Sequence, residues 1–255
     1  MKVVILAGGY GTRLSELTHE IPKPMVEIGG YPIIWHIMNI YATQGFNDFI
    51  VALGYKGSKI RDFFLNYYHN NSDLSIDLND GSMKIHTNNS LNWKVTLVDT
   101  GVNTMTGGRL KRLSHFLDDQ FMVTYGDGVS DIDLNSLIKE HNNSRNMATL
   151  TAVHPTSKYG KLEFGEDGKV ENFIEKPEFG GDWINGGFMV MEPDFLKLIN
   201  DDKTVLEQEP LKNAAKLNSL AAYKHYGFWH CMDTLRDKND LEALWKNDEA
   251  RWKIW

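Results

Sequence analysis

The stretch LAGGYGTRL, residues 6–14, sets Gly8, Gly9 and Gly11 just after the apolar run of Val3, Val4 and Ile5, and adds Arg13 beside them. A strand that ends in glycines exposes main-chain N–H groups with no side chains in the way. N–H groups oriented like this bind anions, phosphate above all. Two familiar glycine patterns do not fit: no Lys-Ser or Lys-Thr pair follows the glycines, and position 14 is Leu where G-x-G-x-x-G needs its last glycine. A second cation, Lys23 in PKPM, comes a short loop later. Asp127 in YGDG lies just past the apolar run FMVTY, and its flanking glycines leave room for a hydrated Mg²⁺, which binds through one or two carboxylates plus substrate phosphates. The same letters also fit a plain Asp-Gly turn. Asp233 in WHCMDT offers a second carboxylate at a strand end, also just before a predicted helix.

These groups need elements to position them, and the chain alternates strand with helix. KVVIL reads as a buried strand. Residues 32–45 read as a helix opened by Pro32 at its first position and closed by Gly45. A strand, FIVALG, and a helix, KIRDFFLNYYH, continue the pattern, and LSIDLNDGSMKIH alternates around Asp80 and Gly81 as an inserted hairpin. The βα rhythm runs to about residue 145. Beyond it short strands dominate, with helices expected near 193–200, 207–217 and 234–247. The pattern predicts a Rossmann-like α/β fold, a doubly wound and mainly parallel sheet with inserted β-ribbons, whose ligands lie at the C-terminal ends of the strands.

Composition narrows the function classes. The 255 residues are 42% hydrophobic and 24% charged, with no 18-residue apolar run, so a membrane span is excluded. A net charge of −7 with no Lys/Arg run argues against nucleic acid and anionic membranes as partners. The single cysteine, Cys231, forms no internal disulfide, which fits a cytoplasmic protein. The nine histidines, among them His36, His115 and His230, show no metal spacing and are assigned to packing or surface. No repeat or linker breaks the chain, which is expected to be one domain over residues 1–255.

LAGGYGTRL with PKPM resembles the signature of the sugar-nucleotidyltransferases, in which a glycine-rich loop wraps a nucleoside triphosphate. The further stretches GYKG, VTLVDTG, MTGGRLKR, TYGDGVSD, INGGF, EQEPL and GFWHCMDTLRDK extend the likeness over essentially the whole chain, and narrow it to the glucose-1-phosphate cytidylyltransferases. The resemblance implies that CTP and α-D-glucose 1-phosphate give CDP-glucose and pyrophosphate, for use in polysaccharide biosynthesis. It implies nucleotide contacts from Leu6, Ala7, Gly8, Gly9, Tyr10, Gly11, Thr12, Arg13 and Lys23, with Arg13 and Lys23 also acting in catalysis. Thr104 and Arg109 of MTGGRLKR are implied to bind CTP across a subunit boundary, in a homo-oligomer expected to be a hexamer. Asp127 and Asp233 match the pair that holds one Mg²⁺. Gly160, Glu175, Lys176, Asn185 and Gly187 match the sugar-phosphate pocket. Residues up to about 145 then bind nucleotide and those from about 146 bind sugar phosphate. The chain ends in RWKIW without the β-helical extension that some other sugar-nucleotidyltransferases carry. Open beside this reading stand another nucleoside triphosphate or sugar phosphate, and a non-catalytic nucleotide-sugar-binding protein.

Overall fold

The computed structural model describes residues 1–87, 90–155, 161–174 and 182–255. β1 (Lys2–Ala7) runs through the glycine loop and a 3-10 turn, Thr12–Leu14, into α1 (Ser15–Thr18). The short pair β2 (Glu27–Ile28) and β3 (Tyr31–Pro32) opens α2 (Ile33–Ala42). β4 (Asp48–Leu53) and α3 (Gly57–Asn70) precede the ribbon β5 (Leu74–Ile76) and β6 (Met83–Ile85), and then β7 (Lys94–Asp99). α4 (Thr106–Arg112), β8 (Phe121–Tyr125), β9 (Gly128–Ser130) and α5 (Leu134–Ser144) complete the first half. The second half adds β10 (Ala148–Val153), the pair β11 (Lys161–Phe164) and β12 (Val170–Ile174), and β13 (Ile184–Met191). It closes with α6 (Glu209–Lys216), β14 (Leu220–Lys224), β15 (Trp229–Cys231) and α7 (Leu235–Lys246).

Both halves feed one seven-stranded sheet, ordered β14-β10-β13-β8-β1-β4-β7. All neighbouring strands are parallel except the two pairs that involve β13, so the expected mainly parallel sheet holds. Its central strands β1 and β4 are apolar on both faces. Val3, Ile5 and Ala7 of β1 pack into one core with α2, α5 and α7, while Val4 and Leu6 pack into a second core with α4 and α6. A strand buried on two sides has no polar face to show, which is why these segments read as unbroken apolar runs. From β1 the chain steps outward to β4 and β7, then returns to the opposite side of β1 as β8. Such a reversal opens a crevice between the two strand ends.

Two helix boundaries differ from the sequence expectation. Pro32 has extended backbone (ψ 144°) and caps α2 from outside, and the helix ends at Ala42, before the turn that Gly45 makes at φ 93°. The helix expected near residue 193 is a six-residue 3-10 helix, Pro193–Leu198, stopped by extended backbone at Ile199.

Candidate active site

The crevice beside β1 is a cleft of about 640 Å³, a size suited to a nucleotide-sized ligand. Leu6 to Arg13, Lys23, Thr104, Arg109, Asp127 and Asp233 all line it, although they come from five separate stretches of chain. Each reaches it for a local reason. Main-chain bonds bring the ends of the strands into line: Gly126 N–H donates to Leu6 O at 3.1 Å, and Tyr55 N–H donates to Gly8 O, also at 3.1 Å. The Thr18 hydroxyl turns back to Gly11 O at 2.9 Å and pins the far side of the loop.

Arg109 supports the loop from beneath. Only 3% of it is exposed, and its guanidinium donates to Gly8 O (2.9 Å), Leu53 O (3.0 Å), Gly101 O (2.8 Å) and the Thr100 hydroxyl (2.7 Å). Burial lowers its pKa, partly offset by Asp99. Gly8 has to be glycine for this reason as much as for any ligand, since a Cβ there would stand 2.1 Å from the guanidinium. The sequence reading sends Arg109 toward a neighbouring subunit, whereas its donors are committed to backbone and hydroxyl of its own chain.

Lys23 crosses the mouth. Its ammonium donates to Asp127 Oδ2 at 2.6 Å and to Asp233 Oδ1 at 2.7 Å, with 12% of the side chain exposed. Burial alone would lower its pKa, but the Asp127 charge, with Asp233, raises it well above the ordinary lysine value. Asp233 shows the reverse balance: burial raises its pKa, and the Lys23 hydrogen bond and charge with Arg13 bring it below the usual carboxylate range. Arg13, largely exposed, donates to Asp233 Oδ2 at 2.9 Å.

The two carboxylates meet because β15 pairs antiparallel with β9, Cys231 opposite Gly128, and Met232 N–H donates to Asp127 O at 2.9 Å. Asp233 is then fixed by the helix that follows it. Thr234 and Asp237 form a capping box at the start of α7, and the Asp237 carboxylate also accepts from Asp233 N–H at 3.1 Å. Cys231 Sγ and one oxygen each of Asp127 and Asp233 lie within 4.8 Å of one another.

Asn185 and Gly187 stand beside the cleft, against Tyr125. The Asn185 amide lies 3.4 Å from the Tyr125 hydroxyl, and Gly187, at φ 84°, leaves the space that the Tyr125 ring fills. Gly160, Glu175 and Lys176 lie outside the described residues. Sequence reasoning gave no role to Tyr125 or Glu207. The Tyr125 hydroxyl donates to the Glu207 carboxylate, which also accepts from the Thr106 hydroxyl at 2.8 Å, so one acid ties the end of β8 to the start of α4. Tyr125 stands immediately before Gly126-Asp127, and that position was the available signal; Glu207 lies 82 residues away and had none. His36 is a packing residue, as expected. It is buried among Trp35, Trp245 and Trp252, and its Nε2 lies 2.8 Å from Ile28 O.

Comparison with known proteins agrees with this geometry. A family model described as nucleotidyl transferase matches residues 2–233. The chain is 50% identical to a glucose-1-phosphate cytidylyltransferase of Salmonella typhi and 44% identical to a probable glucose-1-phosphate cytidylyltransferase of Bacillus subtilis, with 100% of both chains covered in each case. Among solved structures, HddC from Yersinia pseudotuberculosis superposes with a TM-score of 0.71 at 25% identity, over 96% of this chain and 99% of that one.

Proposed function

The chain belongs to the nucleotidyl transferase family, and we infer that it joins CTP to α-D-glucose 1-phosphate, releasing pyrophosphate and CDP-glucose. The observation that carries this reading is the cleft at the β1/β8 switch point. There a glycine loop, two cations and two carboxylates face one space, in a chain half identical to a relative named for this activity. A non-catalytic binding protein would have no need of both aspartates and Lys23 together.

The nucleophile is a phosphate oxygen already ionised at neutral pH, so no general base is needed. The barrier lies in bringing two anions together in line and in stabilising charge at the α-phosphorus. The main-chain N–H groups of the glycine loop bind the triphosphate, and Arg13, exposed at its edge, offsets its charge. Lys23, held between Asp127 and Asp233, supplies positive charge as negative charge passes from the attacking oxygen to the pyrophosphate. Asn185 orients the sugar from the Tyr125 side, with Gly160, Glu175 and Lys176 proposed as its remaining contacts.

The donors present fit a divalent cation. Asp127 and Asp233 are hard oxygen ligands that converge on one point, and a positive charge, the Lys23 ammonium, is already stabilised between them. These two residues would hold Mg²⁺, which when bound supplies charge neutralisation at the phosphates. On the protein side, Lys23 would offer its charge to the phosphates from the same point, with Arg13 at 2.9 Å from Asp233.

Assembly into a homo-oligomer, a hexamer by resemblance, completes the proposal. Val102 and Met105, both exposed and both at the rim, give a neighbour apolar surface to cover. The product serves polysaccharide biosynthesis. The test crosses four nucleoside triphosphates with several sugar 1-phosphates and scores pyrophosphate release. CTP with glucose 1-phosphate is expected to turn over fastest; a different fastest pair, or no turnover with any, overturns the reading.

A further inference from the structure

One group beside the two aspartates has no part in the reaction above. Cys231 ends β15, and its thiol is half-buried between the two aspartates. Mg²⁺ takes oxygen ligands and has little use for sulfur. Zinc-class cations behave differently: they bind thiolate and carboxylate together, and they outrank the earlier divalent ions at such mixed sites.

The geometry points to a second use of the aspartate pair: Asp127, Cys231 and Asp233 form a site for thiophilic divalent cations, which bind through the Cys231 thiolate and both carboxylates and displace the Lys23 ammonium. The three donor atoms already lie within 4.8 Å of one another. Zinc–sulfur and zinc–oxygen distances of about 2.3 and 2.1 Å then require the side chains to close by about 1 Å. The pairing of β9 with β15 and the capping box of α7 hold all three residues on short, fixed segments. On binding, the Cys231 S–H proton passes to water, the metal gives up aquo ligands, and no electron moves. The occupied site takes both carboxylates from Mg²⁺ and turns Lys23 out, so a zinc-class ion inhibits turnover.

This inference rests on the assignment of Asp127 and Asp233 as the cation pair. Its test reads spectra and affinity, so it does not depend on which nucleotide or sugar the enzyme uses. Tag-free protein without nucleotide is titrated with Co²⁺. Because the sequence holds one cysteine, any thiolate-to-cobalt charge-transfer band in the near ultraviolet belongs to Cys231. The expected result is such a band at one equivalent, removed by Zn²⁺, and absent from Cys231→Ser. Zn²⁺ affinity in that variant should fall by about a hundredfold, the upper end of what losing even a supporting group costs a metal site. Co²⁺ bound without the band, or no Co²⁺ binding by the wild-type protein, overturns the proposal whether or not the variant folds.

Discussion

Two buried cations flank the glycine loop, and their partners differ. Arg109 donates to neutral oxygens, four carbonyls and a hydroxyl, while Lys23 donates to two carboxylates. Neutral carbonyls hold no metal ion at this place in exchange for the guanidinium, and Gly8 O and Leu53 O are further fixed by Tyr55 N–H and Thr100, so the Arg109 contacts belong to the frame of the loop. Carboxylates at the mouth of a cleft can exchange an ammonium for a metal ion, which makes the Lys23 contacts a resting arrangement. The guanidinium suits the first task through its fixed fork of five donors, and the compact, flexible ammonium suits the second.

The comparison breaks most visibly at the carboxylates. Asp127→Asn or Asp233→Asn should lower turnover by at least about a hundredfold, with circular dichroism unchanged. Near-normal Mg²⁺-dependent activity in either variant would remove the shared cation pair. Arg109→Ala should instead lower stability, by about 4 kcal/mol, because the buried guanidinium that ties Gly8 and Leu53 to residues 100–102 is lost and leaves a cavity. The melting temperature would fall by about 10 °C, and Arg109→Lys would recover little of it. Added Mg²⁺ should raise the melting temperature of Lys23→Ala, where it can stand between the carboxylates, and leave that of Arg109→Ala unmoved; equal responses would erase the distinction.

A third buried cationic group sharpens the contrast, since it is kept uncharged. Burial lowers the His36 pKa from 6.5 to about 4, against the opposing pull of the Ile28 and Tyr31 carbonyls and Glu242. The unfolded chain therefore binds the extra proton first. Stability is complete above pH 6.5, is lost as pH falls toward 4, and declines by about 3 kcal/mol over that window. Urea titrations at several pH values should show this slope in the wild type and a flatter one in His36→Gln. The smallest effect is expected at Arg112, one turn along α4 from Arg109. It pairs with Asp202 at 2.6 Å on the exposed surface, and Arg112→Ala should leave the melting temperature nearly unchanged.

How much of this could be read in advance follows from range. The glycines and Asp127 were legible because they follow strands whose apolar runs are continuous, β1 and β8, and Arg13 and Lys23 because they stand in short motifs close behind the glycines. The sheet was legible from the same apolar runs. Arg109 was legible as a cleft residue but not in direction: GGRLKR places three basic residues on one short helix, and nothing local says which of them turns inward. The β9–β15 pairing, three residues on each side, is too short to leave a periodic signal, yet it sets the spacing of Asp127, Cys231 and Asp233. The Tyr125–Glu207 contact is likewise a matter of tertiary packing alone.

The central claim is that Lys23 works on the reacting phosphates while Arg109 works on the loop. Steady-state kinetics of Lys23→Ala with CTP and glucose 1-phosphate test it most directly. A cation needed chiefly in the transition state predicts a large fall in kcat with a much smaller rise in KM. An unchanged kcat with a raised KM would contradict the account and make Lys23 a binding residue only.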